Sequence, residues 1–220
     1  MDTTRYKAVF FDFDDTLGDR EQYAYDCARD MLKENTQIDD PIQFEAVLQD
    51  WMLWDEKGNV EKDYVRRRLE EKYGITFPYD FDVHWIENLW RYCVAYPDAK
   101  ETLTYLKKKY QLGIITNGPS DGQRKKLQIS GLDTFFDMEK VVVSGDYPYQ
   151  KPDPRLFQEG CRRLGVRPEE SIYVGDIFAN DVYGSQQAGM TPIWIWTQGV
   201  RKQCTDVVTI HRLSELIDIL

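Results

Sequence analysis

The sequence predicts an α/β fold in which a parallel sheet is interrupted, after its first strand, by an all-helical insertion. Short apolar runs rich in β-branched and aromatic residues alternate with amphipathic segments along most of the chain, the pattern of parallel strands joined by crossover helices. Several of these runs end abruptly in carboxylates, a threonine or turn formers, as strands do where ligands gather outside the carboxyl ends of an open sheet. Between residues 20 and 96 the alternation stops, and helical periodicity runs on with no intervening strand.

Residues 7–11 form the first strand, because the apolar run Ala8-Val9-Phe10-Phe11 is what a strand buried on both faces requires. It leads into Asp12-Phe13-Asp14-Asp15-Thr16-Leu17, three carboxylates within four residues. Helices are predicted over 21–34, 41–56, 61–72 and 81–95, separated by Asp39-Asp40-Pro41, Gly58-Asn59 and the turn formers of 74–78. The insertion spans 19–96, and the core comprises 1–18 and 97–220. In the core a helix over 99–110 precedes a strand over 112–116, followed by the turn Asn117-Gly118-Pro119-Ser120 and a helix over 121–130. A strand over 141–144 follows, and Lys151-Pro152-Asp153-Pro154 opens a helix to Leu164 with its prolines near the first turn. Further strands are expected over 171–175, 192–196 and 207–210, with helices over 179–188 and from Arg212 onward.

A chain of 220 residues, 42% of them hydrophobic, suffices for a sizeable core. Its 28 basic and 38 acidic residues give a net charge of −10, which opposes binding to the polyanionic backbone of nucleic acid. No apolar run approaches the roughly 20 residues that span a bilayer, and the N-terminus lacks the layout of a signal peptide, so a cytoplasmic protein without membrane attachment is expected. Oligomeric state is not readable from the sequence. Cys27, Cys93, Cys161 and Cys204 lack the paired spacing of a zinc site or redox dithiol and are read as reduced structural thiols. With only His84 and His211 available, catalysis through a Ser/His or Cys/His pair has few candidates, and His84 is read as a packing or surface residue rather than a base. Trp51, Trp54, Trp85 and Trp90 lie at helical spacing and are read as core, while Arg66-Arg67-Arg68 is read as a solvated face.

Asp12 and Asp14 sit two apart at the end of the first strand, and two acids aimed at one point repel unless a cation or a shared proton intervenes. A hard divalent ion with oxygen ligands resolves this, as Mg²⁺ does with carboxylates, water and phosphate oxygens. Thr116, Lys151, Asp176 and Asp181 also lie at or just beyond strand ends or at the start of a helix, so one sheet edge can gather all six. They supply a nucleophile, an acid/base, a metal cage and phosphate anchors, the parts that phosphoryl transfer needs.

The four elements Asp12-Phe13-Asp14-Asp15-Thr16-Leu17, Thr116-Asn117-Gly118, Lys151-Pro152-Asp153-Pro154 and Gly175-Asp176 with Asn180-Asp181 resemble, in order, the motifs of the haloacid dehalogenase-like superfamily. The resemblance implies a Rossmann-like parallel core with a helical cap domain inserted after the first motif. It implies Asp12 as nucleophile, Asp14 as acid and base, and Mg²⁺ held by Asp12, the Asp14 backbone carbonyl and Asp176, with Asp181 holding metal waters or the lysine. Thr116, the Asn117 backbone and Lys151 would bind phosphate, and Asp15 is assigned to the local turn. Relatives that cleave carbon–halogen bonds lack the second acid of the first motif. Asp14 therefore points to a phosphatase acting on a small soluble phosphomonoester through an aspartyl-phosphate, with nucleotide, sugar phosphate and phosphoglycolate all left open. A phosphosugar mutase and a non-catalytic binding protein are the alternatives, and the cap is expected to select the leaving group.

Overall fold

The computed structural model describes residues 3–195 and 206–220, so the expected strand residue Trp196 and Cys204 lie outside the described residues. The chain divides into two compact units, one of Met1–Asp19 with Ala95–Leu220 and one of Arg20–Val94.

In the first unit, β1 (Ala8–Phe11) is buried along its whole length. It lies at the centre of a parallel sheet with β2 (Gln111–Thr116) on one side and β4 (Ser171–Gly175) on the other. With β3 (Val142–Val143), β5 (Thr191–Ile195) and β6 (Val208–Ile210), the strand order among the described residues is β3-β2-β1-β4-β5-β6. Because every pairing is parallel, the carboxyl ends of all the strands share one edge. The register sets Phe11 opposite Ile114 and Val174, and the Asp12 amide donates to the Val174 carbonyl at 2.9 Å, so the first acid is fixed by the ladder itself.

Phe10, Ile115, Leu156, Phe157 and Tyr173 form the core on one sheet face, with the Phe157 and Tyr173 rings edge-on at 4.9 Å. Among the described residues this unit carries five α-helices, which follow the four of the other unit in chain order. They are α5 (Ala99–Leu106), α6 (Ser120–Ile129), α7 (Pro154–Leu164), the short α8 (Gly184–Gln187) and α9 (Leu216–Ile219).

Several predicted boundaries differ: among them the helix expected over 99–110 ends at Leu106, the strand expected over 141–144 is Val142–Val143, and from Arg212 a 3₁₀ turn, Leu213–Glu215, precedes the helix at Leu216. The helix expected from Lys151 begins at Pro154: Asp153 is its N-cap, accepting the Arg155 amide at 3.0 Å, which leaves Lys151 outside the helix. The helix expected over 179–188 is a wide, π-type turn over Phe178–Tyr183 before α8 begins. The helix expected over 81–95 ends at Asn88, whose side-chain amide donates to the His84 carbonyl at 2.7 Å, and a single 3₁₀ stretch, Leu89–Tyr92, follows.

The second unit packs α1 (Arg20–Asn35), α2 (Pro41–Asp55), α3 (Lys62–Tyr73) and α4 (Phe81–Asn88). Asp40 caps α2 by accepting the Ile42 and Gln43 amides, with Pro41 at the first turn, and Asp80 caps α4 through the Val83 amide. Trp51 is the hub of its core, with Phe81 at 5.2 Å, Trp85 at 5.7 Å and Phe77 at 6.0 Å between ring centroids. Beside them the buried Asp55 pairs with Arg20 at 2.7 Å and also with Lys62. Arg66, Arg67 and Arg68 form intrahelical ion pairs with Asp63, Glu70 and Glu71, and His84 stacks on Tyr79 at 4.1 Å. Cys27, Cys93 and Cys161 are buried free thiols, and burial pushes Cys27 up to about 12 and Cys161 up to about 11.

Candidate active site

The carboxyl ends of β1, β2 and β4 each deliver one part of a polar cluster. Beyond β1 the chain turns sharply: the Phe13 carbonyl accepts the amides of Thr16, Leu17 and Gly18, and Asp15 takes a left-handed conformation with φ of 55°. Asp15 is thereby part of the turn, and it is buried rather than solvated.

At the end of β2, Thr116 is buried, and its hydroxyl accepts a hydrogen bond from Gln123 Nε2 at 3.0 Å. The Asn117 side chain reaches across to the third motif. Its Nδ2 donates to the Lys151 carbonyl at 3.1 Å and its Oδ1 accepts the Lys151 amide at 2.9 Å, which fastens the lysine backbone at two points. The positive φ of Gly118, 135°, turns the chain there, and a side chain at that position would press on Gln123 at 3.1 Å.

Lys151 is 3% exposed, and its Nζ stands 2.7 Å from Asp12 Oδ1, 2.7 Å from Asp181 Oδ1 and 3.0 Å from the Tyr173 hydroxyl. Tyr173 in turn donates to the Ile115 carbonyl at 2.7 Å, so a tyrosine of β4 braces the lysine from below. Burial alone would depress the lysine pKa, but Asp12 and Asp181 outweigh it and hold the ammonium above its ordinary range. Burial pushes the Asp12 carboxyl up to about 6, with Asp181 and Asp14 adding to the rise and Lys151 opposing it.

Oxygens of Asp12, Asp176 and Asp181 all lie within 4.8 Å of one another. Asp181 is held by the Ile177 amide, which donates to its Oδ2 at 2.8 Å, and the carbonyl of Asp176 accepts Trp194 Nε1 at 2.8 Å. Three carboxylates against one ammonium leave two negative charges in a nearly dry pocket, an arrangement that is costly without a cation. Asp12 Oδ1 faces Lys151 without an aligned hydrogen bond, and the donors are all carboxylate oxygens. This set fits a hard divalent cation of the Mg²⁺ type and offers none of the sulfur or imidazole ligands that softer metals prefer.

Asp14 stands outside that oxygen cluster. Its carboxylate accepts Lys126 Nζ at 2.9 and 2.8 Å and Gln123 Nε2 at 3.0 Å. The structure thus brings Asp12, Asp176, Asp181, Lys151 and the Thr116–Asn117 turn to one edge, while Asp14 is held by Lys126 and by Gln123, which also bonds Thr116. Sequence reasoning missed Gln123, Lys126 and Tyr173. The only available signal for the first two was their three-residue spacing on a helix that starts directly after a polar strand end.

Comparison with known proteins places the chain. A family model described as haloacid dehalogenase-like hydrolase matches residues 6–189. A glyceraldehyde 3-phosphate phosphatase of Methanothermobacter thermautotrophicus is 34% identical, over 97% of this chain and 99% of its own length. The corresponding enzyme of Pyrococcus furiosus is 32% identical, covering 86% and 80% of the two chains. Among solved structures, the HAD-hydrolase YfnB from Bacillus subtilis bound to magnesium superposes with a TM-score of 0.75 at 25% identity, covering 98% of this chain and 99% of its own. With the motif residues gathered at one sheet edge and most of its length matched, the chain belongs to the haloacid dehalogenase-like hydrolase family.

Proposed function

We propose that the protein is a Mg²⁺-dependent phosphatase that hydrolyses a small soluble phosphomonoester through an aspartyl-phosphate on Asp12. The observation that carries this reading is the partition of Asp12 and Asp14 within the first motif: Asp12 sits beside Lys151 and the Asp176–Asp181 oxygens, whereas the Asp14 carboxylate is held by Lys126 outside that oxygen cluster. Nucleophile and proton carrier are thereby separated by their surroundings rather than by residue type. Bound Mg²⁺, held by Asp12, Asp176 and the Asp14 carbonyl with Asp181 in support, would offset charge between an anionic nucleophile and an anionic phosphate.

An Asp12 oxygen attacks phosphorus, the bond to the leaving oxygen breaks, and that oxygen takes a proton from Asp14. Asp14 then removes a proton from water, which attacks the phosphoryl group and releases inorganic phosphate and free Asp12. The Thr116 hydroxyl and the Asn117 backbone amide anchor the phosphoryl oxygens. Lys151 neutralises them and favours the ionised form of Asp12. We read Arg20–Val94 as the cap domain and the sheet-bearing unit as the catalytic core.

The relatives named for glyceraldehyde 3-phosphate make a short-chain phosphosugar the first substrate to test. A Mg²⁺-dependent screen of p-nitrophenyl phosphate, glyceraldehyde 3-phosphate, longer sugar phosphates, nucleotides and phosphoglycolate, ranked by kcat/KM, is expected to favour the phosphosugars. Asp12→Asn and removal of the metal by chelation are each expected to lower turnover of every substrate by more than about 10⁴-fold. Undiminished hydrolysis by the Asp12→Asn protein would remove Asp12 as the nucleophile.

A further inference from the structure

We infer that Lys126 and Gln123 are positioning residues that aim the Asp14 carboxylate at the water hydrolysing the phosphoenzyme. The inference rests on the phosphatase reading and assigns a role to two residues outside the motifs. Residues three apart on a helix share a face. Here that face carries a glutamine 2% exposed and a lysine 7% exposed, in a helix whose other polar residues are half-buried or exposed. Burying a lysine is unfavourable unless its ammonium finds an anion, and the anion here is Asp14.

The geometry is that of a clamp. Lys126 Nζ lies 2.9 Å from Asp14 Oδ1 and 2.8 Å from Oδ2, and a cation shared between both oxygens fixes the plane of the carboxylate. Gln123 Nε2 donates to Oδ2 at 3.0 Å, to the Thr116 hydroxyl at 3.0 Å and to the Asn117 carbonyl at 2.6 Å. Gln123 therefore ties the proton carrier to the turn that binds phosphate. Lys151 serves Asp12 and Asp181, and Lys126 serves Asp14, so Asp12 and Asp14 each have their own ammonium. A carboxylate that accepts hydrogen bonds from both residues is oriented to take a further proton, which is its task when water attacks the phosphoryl group on Asp12.

An aryl phosphate with a good leaving group separates the two half-reactions. Nitrophenolate departs without a proton, so formation of the phosphoenzyme makes little demand on Asp14, while its hydrolysis still requires a base. With p-nitrophenyl phosphate and Mg²⁺, Lys126→Met is expected to lower kcat about 10²-fold, within the range that general base catalysis contributes, and to lower KM in parallel. kcat/KM, which reports phosphorylation, is expected to stay within about threefold. Rapid mixing should give a burst of nitrophenolate equal to the enzyme concentration, and acid quenching should trap a phosphoenzyme that hydroxylamine cleaves. Lys126→Arg is expected to recover at least a tenth of the lost kcat, and adding Lys126→Met to Asp14→Asn should cost no more than about twofold beyond Asp14→Asn alone.

A loss of kcat/KM as large as that of kcat, with no burst, would overturn the inference, because Lys126 would then serve phosphate binding or phosphorylation. Full additivity with Asp14→Asn would overturn it as well. If wild-type protein turned over no phosphate ester, the phosphatase reading itself would fail. A crystal structure of the variant still tests the clamp in that case, since an Asp14 carboxylate unmoved in Lys126→Met rules the clamp out. Should Lys126→Met not fold, Lys126→Gln reads the same step.

Discussion

Gly175 ends β4 with no room for a side chain. A Cβ there would lie 2.4 Å from Cγ, 2.5 Å from Cβ and 2.7 Å from Oδ2 of Asp181, closer than real Cβ contacts come, and Asp181 is too short and too well held to yield without moving its carboxylate. The glycine is thus what lets Asp181 fold back against the strand end and join the oxygens of Asp12 and Asp176. Gly175→Ala is expected to displace that carboxylate and weaken Mg²⁺ binding about 10-fold, the scale on which displaced supporting groups act on metal sites. Isothermal titration with Mg²⁺ checks it, and unchanged affinity would mean that Asp181 does not support the ion. The same reasoning marks Tyr173 as more than core: its ring packs on Phe157 while its hydroxyl joins Lys151 to the Ile115 carbonyl.

At the scale of elements, the sequence made the sheet legible because its strands need no tertiary information to be recognised. Residues 8–11 form an unbroken apolar run, and a run that ends in Asp12 announces both a buried strand and its polar terminus. Thr116 and Asp176 were legible for the same reason. Lys126 was not, because α6 is mostly polar and reads as a surface helix; only the packing of α6 against the β1 turn shows which of its faces is dry. The start of α7 was misplaced because two prolines suit a first helical turn equally well, and the choice fell to Asp153 as cap. Within α7 itself, Glu159 is held down at about 2, chiefly by Arg162 and further by Arg163 and the Tyr147 hydroxyl. A depressed carboxylate contributes stability above its unfolded value, near 4.3, and that contribution is lost as pH falls toward about 2. Its partners are partly solvated, so the contribution is about 1 kcal/mol. Urea unfolding should therefore show Glu159→Gln destabilised by about that amount at pH 7 and by much less at pH 2.

For the whole molecule, the acidity of the chain and the acidity of its site act in the same direction. A net charge of −10 already opposes compaction, and oxygens of three buried or half-buried carboxylates are drawn within 4.8 Å of one another while Lys151 supplies one positive charge among them. A fold that gathers charge in this way is more stable once a cation fills the cluster. A ligand that binds only the native state adds RT ln(1 + [L]/Kd), about 2.7 kcal/mol at one hundred times Kd. Asp12→Asn removes one negative charge and keeps the shape and volume of the side chain. Without Mg²⁺ it is expected to raise the thermal midpoint by a few degrees, because Lys151 keeps Asp181 as its partner while the repulsion among the acids falls. With saturating Mg²⁺ the wild type should gain more than the variant, so that the difference between them narrows or reverses. Thermal unfolding of both proteins, with chelator and with Mg²⁺, measures both effects without recourse to activity. A variant less stable than wild type under chelation would mean that the Asp12–Lys151 attraction outweighs the repulsion, and that the cluster carries no stored charge for a metal to relieve.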